Sequence, residues 1–172
     1  IKLELALANL YSKGKDKNYT KALVHYEETC KSNFKLGCLE YQALKEEIID
    51  SKRELASKGD IKTQNELALM YYKGQEVEKN IKKSIYWFEQ AANQGDTDAQ
   101  YNLGLIYHNG EVVVQDYIKA DHWYGKACKK GLFKACNKVG VIEFEYSMKL
   151  AEQGDPEAQC RIGVYCYSGT II

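Results

Sequence analysis

A period of 36 residues governs this chain. At that offset Leu67 matches Leu103, Tyr71 matches Tyr107, Gly74 matches Gly110, and Val77 matches Val113. Lys83 and Lys119, Trp87 and Trp123, Ala91 and Ala127, and Gly95 and Gly131 continue the series. The segment from Leu7 follows the same template with a loop two residues shorter: Leu7, Tyr11 and Gly14, then Ala22 and Tyr26. Later copies have Ser84 and Phe88, or Ala120 and Tyr124, in those last two places. A repeat of this length is one supersecondary unit that cannot bury its apolar face alone, so the units must stack in series.

Each full copy reads as two helices. Ala99, Leu103, Gly104 and Tyr107 stand three or four apart and form one apolar stripe. Gly104 is expected to let a neighbouring backbone come close. Gly110 ends the first helix where a left-handed residue is wanted, and Ala120, Trp123, Tyr124 and Ala127 share a face of the second. Gly131 stops that one. Asp155, before Pro156 and Glu157, has the chemistry of a helix start, since its carboxylate accepts backbone N–H bonds and proline suits the first helical position.

Composition agrees with an all-helical chain. There is one proline in 172 residues, and 45% are hydrophobic, which argues against disorder. The 24 basic and 24 acidic residues cancel, and their spread gives no electrostatic footprint for nucleic acid. No apolar run approaches the ~18 residues of a membrane span.

The run Leu103-Gly104-Leu105-Ile106-Tyr107-His108-Asn109-Gly110, followed by Lys119-Ala120-Asp121-His122-Trp123-Tyr124-Gly125-Lys126-Ala127, resembles a Sel1-like repeat, a relative of the tetratricopeptide repeat. The resemblance covers nearly the whole chain. It implies an α-solenoid of antiparallel helix pairs, a single repeat domain over residues 1–172. Copies fall at about 3–33, 61–96 and 97–132, with degenerate ones at 34–60 and 133–155 and a partial one at 156–172. Ile1 lies already inside an amphipathic run and the chain stops in a first helix, so it reads as a piece of a longer array. In the two shortened copies the Tyr-x-x-Gly turn and its loop are missing, and Lys45 and Glu143 fall where the tyrosine belongs. Leu39 to Lys58, without Gly or Pro, reads as one continuous helix rather than a hairpin.

The six cysteines are the second informative feature. At the five junctions between copies the equivalent pairs are Cys30/Cys38, Ala56/Gln64, Ala92/Gln100, Cys128/Cys136 and Ala151/Gln159. Both members are Cys or neither is, which is what a disulfide produces. On one unbroken helix eight residues span about 12 Å, beyond the roughly 4.4 to 6.8 Å that a bridge requires. A turn at Asn33 or Gly131 brings the two together. The alternative, small buried cysteines in place of alanine, does not account for glutamine at the second position. Bridges at Cys30–Cys38 and Cys128–Cys136 imply an oxidising compartment, periplasmic or secreted. Cys160 and Cys166 lie about 9 Å apart on one helix and are not expected to bond each other. No metal-binding cysteine cluster is present.

This C-x7-C spacing resembles that of the Helicobacter cysteine-rich proteins, secreted or periplasmic Sel1-like repeat proteins. The resemblance implies a protein-interaction module with an adaptor or host-interaction role. Two other readings remain open: an immunity protein neutralising a bacterial toxin or effector, and a penicillin-binding or weakly β-lactamase-like enzyme. For the last, Ser32-Asn33-Phe34-Lys35 matches S-x-x-K, but the accompanying S-D-N and K-T-G elements are missing. His25, His108 and His122 lie in separate copies, with His25 where Trp87 and Trp123 stand. We therefore read the chain as a binding protein, with no catalytic, cofactor or metal residues.

The partner surface is sought on the first helices. The face opposite Ala99, Leu103 and Tyr107 carries Tyr101, Leu105 and His108, with equivalents Asn65, Leu69 and Tyr72, then Cys160, Val164 and Tyr167. In tetratricopeptide-like solenoids first helices line the concave side, so these variable positions are candidate contacts for a protein or peptide. Packing between successive first helices is the competing use. No nucleic acid and no membrane insertion are expected.

Overall fold

The computed structural model describes residues 2–13 and 18–168, with side chains placed up to residue 163. Among these residues every regular element is an α-helix: α1 (Lys2–Lys13), α2 (Tyr19–Lys31), α3 (Lys35–Ser57), α4 (Ile61–Lys73) and α5 (Ile81–Asn93). α6 (Thr97–Asn109), α7 (Tyr117–Lys129), α8 (Phe133–Glu152) and α9 (Pro156–Ser168) complete the order. Each helix packs chiefly on the helices next to it in sequence, the pattern of a solenoid.

Caps explain the boundaries. Asn18, Asp60, Asn80, Asp96, Asp116 and Asp155 each accept a backbone N–H three residues on, at 2.6–3.0 Å. Inside the two full copies, Gly74 and Gly110 end the first helix with φ of 67° and 65°. Between copies the chain turns through Gly59, Gly95, Gly131 and Gly154, at φ between 88° and 96°. Asn33 does the same at 57°, as one of the few side chains that tolerate this region.

The shortened copies are single helices, α3 and α8, of 23 and 20 residues. Each packs against the helix before it as closely as the two helices of a hairpin do. The chain therefore groups into two three-helix units with a hairpin between them. One core joins α1, α2 and α3 through Ala8, Ala22, Tyr26 and Leu44. Another joins α6, α7 and α8 through Leu105, Ala120, Tyr124, Ala135 and Ile142. The units correspond at an offset of 98: Tyr26 with Tyr124, Cys30 with Cys128, Cys38 with Cys136, and Leu44 with Ile142. Between them, Ala68, Phe88, Ala92, Ala99, Leu103 and Trp123 link α4 through α7.

Gly104 departs from expectation. The space it leaves is filled by the Tyr124 ring rather than by a backbone, and an added Cβ would lie 2.5 Å from that ring. Tyr124 is fully buried, and its hydroxyl has no hydrogen-bond partner among the described residues.

Candidate functional site

Both cysteine pairs are bridged. Cys30–Cys38 and Cys128–Cys136 have Cα–Cα separations of 4.4 and 4.7 Å across their turns. They staple the two joints, α2–α3 and α7–α8, at which a long single helix begins. Cys160 is exposed and unbridged, and Cys166 lies outside the residues whose side chains are described.

The three joints without cysteine carry a different fastening, which the spacing argument did not anticipate. Gln64 Nε2 donates to the carbonyl of Ala56 at 2.9 Å, Gln100 Nε2 to that of Ala92 at 2.9 Å, and Gln159 Nε2 to that of Ala151 at 3.2 Å. These joints also carry the caps Asp60, Asp96 and Asp155, whereas Phe34 and Leu132 at the bridged joints make no side-chain cap. The signal lies in the sequence: aspartate precedes glutamine by four residues, and an apolar residue precedes cysteine by four.

The eight predicted contact residues separate into three groups. Leu69, Tyr72 and Leu105 come together in a depression of about 150 Å³ between α4 and α6, with Phe88 and Ile106 beneath and Lys73, Asn102 and Asn109 at its edges. A second depression of about 450 Å³ runs from Tyr19 and Leu23 over Ile48 to Met70. The two share Leu69 and Lys73, so they adjoin along α4 as two stretches of a trough over α3, α4 and α6. Its floor is apolar, and its rim offers amide and ammonium groups able to hydrogen-bond a polypeptide backbone. Asn102 and Asn109 were not singled out from the sequence, although seven residues on a helix return to the same face.

The remaining described positions serve packing between repeats. Asn65 Nδ2 donates to the capping carboxylate of Asp96 at 3.0 Å. Tyr101 is half-buried 5.4 Å from the Tyr124 ring, with Lys134 Nζ 4.4 Å above its own ring. His108, expected on an open face, is buried, and its Nε2 donates to Glu145 on α8 at 2.7 Å. It is withdrawn by α8, which packs along α7 and brings Glu145 to it. Val164 and Tyr167 lie outside the residues with described side chains.

Ser32 of the S-x-x-K match caps α2, its hydroxyl donating to the Glu28 carbonyl at 2.9 Å. His25 stacks on Tyr11 at 5.7 Å and pairs with Glu4. Among the described residues no three His, Cys, Asp or Glu side chains converge as a metal site. No described helix is long and apolar enough to cross a membrane.

Comparison with known proteins bears on these surfaces. The Sel1 repeat model matches residues 3–41, 61–96, 97–132 and 156–169, leaving out most of both long helices. The crystal structure of a Sel1 repeat protein from Oxalobacter formigenes is 29% identical, with a TM-score of 0.50 over 67% of this chain and 96% of that one. A protective antigen present in uropathogenic Escherichia coli strains, displaying an SLR fold, is 25% identical with a TM-score of 0.53. That match covers 98% of this chain but only 41% of the antigen, so this chain spans less than half of its length. No curated protein sequence matches significantly.

Proposed function

Since this chain belongs to the Sel1 repeat family, whose repeats are protein–protein interaction modules, we propose that it recognises a protein or peptide partner along the trough over α3, α4 and α6. The observation that carries the reading is the convergence of Leu69, Tyr72 and Leu105, three of the variable first-helix positions, on one apolar depression flanked by Asn102, Asn109 and Lys73. Apolar and aromatic anchors supply affinity there, and the asparagines fix the register of a bound backbone. In this reading the trough is the concave side of the array, and the role is that of an adaptor or host-interaction protein. The chemistry is binding without catalysis.

The compartment in this reading is the periplasm or the extracellular space. Two bridges at equivalent joints support it, because a reducing cytoplasm would hold both pairs as thiols. The likeness to a protective antigen points the same way.

Site-specific photo-crosslinking tests the surface. A photoreactive residue at Tyr72 or Leu105 captures the partner in native extract, whereas one at Tyr86, exposed on the second helix α5, does not. Leu105→Glu abolishes capture from position 72. Capture from Tyr86 alone would move the interface to the opposite face and overturn the proposal.

A further inference from the structure

The longest stretch without an acidic residue runs from His122 to Ile142 and contains five lysines: Lys126, Lys129, Lys130, Lys134 and Lys138. In a chain whose formal charge is zero this is a pronounced segregation, and the fold gathers it around one turn. That turn is the bridged α7–α8 joint. At its tip Phe133, the first residue of α8, is 76% exposed. Among the described residues, Lys134 alone of the five has an acidic partner, Asp98 at 3.2 Å. Lys130 donates to the Gly95 carbonyl, and Lys126 lies over the Trp123 ring.

The equivalent joint shows that the fold does not require this charge. Offset by 98, Lys126, Lys130, Phe133 and Lys138 correspond to Glu28, Ser32, Lys35 and Glu40. There Glu27 and Glu28 pair with Lys31, and Glu40 pairs with Lys13. The same bridge and the same long helix thus form around a balanced surface.

We propose that the α7–α8 joint is a peripheral docking surface for an anionic phospholipid bilayer. Phe133 enters the headgroup region, Lys129 and Lys138 face the lipid phosphates, and Lys126 and Lys130 exchange the Trp123 ring and the Gly95 carbonyl for phosphate on contact. A turn closing two antiparallel helices projects outward, and an aromatic ring collared by ammonium groups suits a flat anionic surface. The bridge across the turn fixes the ring and its collar in place before contact. No spanning helix is involved, and the trough over α4 and α6 takes no part.

The test is co-sedimentation of the oxidised protein with vesicles of phosphatidylglycerol in phosphatidylcholine, and with pure phosphatidylcholine. Binding is expected to the first and not the second, and to weaken as salt rises from ~0.1 to ~0.5 M. Exchanging the collar for the first joint's own residues, Lys126→Glu, Lys130→Ser and Lys138→Glu, is expected to reduce binding more than ~10-fold. Phe133→Lys alone separates loss of insertion from loss of fold, since it adds charge yet is expected to weaken binding. Equal sedimentation with both vesicle types, or unchanged binding by the exchanged variant, overturns the proposal. So does salt-sensitive capture by immobilised polyglutamate without vesicle binding, which would assign the joint to an acidic protein instead.

Discussion

Gln100 reaches back across the α5–α6 turn and donates its side-chain amide to the carbonyl of Ala92 at 2.9 Å, in the place where Cys136 is bonded to Cys128 one repeat later. The joint between repeats therefore has two interchangeable fastenings, one a hydrogen bond and one covalent. The pairing rule follows directly. A lone cysteine at either position would lose the amide contact without gaining a bridge.

Gln100→Ala is expected to cost about 1 kcal/mol in chemical denaturation, because the Ala92 carbonyl loses one of its donors and keeps the Gly95 N–H. The double substitution Cys128→Ala/Cys136→Gln transplants the amide fastening into the second joint. It should melt higher than Cys128→Ser/Cys136→Ser, which has neither. If the two variants melt alike, the fastenings are not equivalent.

Thiol titration of the denatured, unreduced protein should find two of the six cysteines free, with all six reacting after reduction. Each bridge closes a short loop, worth about 2.5 kcal/mol in the chain-entropy model. Reduction should therefore lower the unfolding midpoint markedly while leaving the helical circular-dichroism signal in place at low denaturant. Six free thiols before reduction would remove the argument for an oxidising compartment.

Tyr124 and Tyr26 occupy equivalent positions but differ in their hydroxyls. That of Tyr26 donates to Asn9 Oδ1 at 2.9 Å and shares a hydrogen bond with Ser12, whereas that of Tyr124 has no partner among the described residues. Tyr26→Phe should cost about 1 kcal/mol, and Tyr124→Phe should be neutral or stabilising, as Phe88 at the same place in the preceding repeat suggests. Burial holds the Tyr124 hydroxyl well above its ordinary value of 10.0. The unfolded chain ionises there first, so stability is full below about pH 10 and falls as pH rises above it. Tyr124→Phe should flatten that alkaline decline in a pH series of thermal melts.

The capping carboxylates set the acid limit. Asp60 is held below its ordinary 3.8 by the Thr63 hydroxyl and backbone N–H, and Asp116 by the Lys119 N–H. Their contribution is complete above the unfolded value and is lost as pH falls through the depressed one. Melting temperature should drop between about pH 5 and pH 2, and less steeply in Asp60→Asn/Asp116→Asn, where the amide still caps but does not titrate. An unchanged slope would show that other carboxylates govern acid unfolding.

The sequence by itself determined the elements and the joints. Helical stripes, caps and turn glycines are local, so the 36-residue period, the single long helix after Cys38 and the two bridges were all legible without coordinates. The acid-free run from His122 to Ile142 lies in the sequence too, but the even total of 24 basic and 24 acidic residues conceals it. What only the tertiary structure decided is where each variable first-helix residue ends. Leu69, Tyr72 and Leu105 meet across two helices in an open trough, while His108, on the same helical face as Leu105, is buried against Glu145. Periodicity fixes the angle at which a side chain leaves its own helix, but exposure depends on what the next helix brings alongside. Here that helix is α8, which brings Glu145 to His108, and no spacing within α6 encodes that.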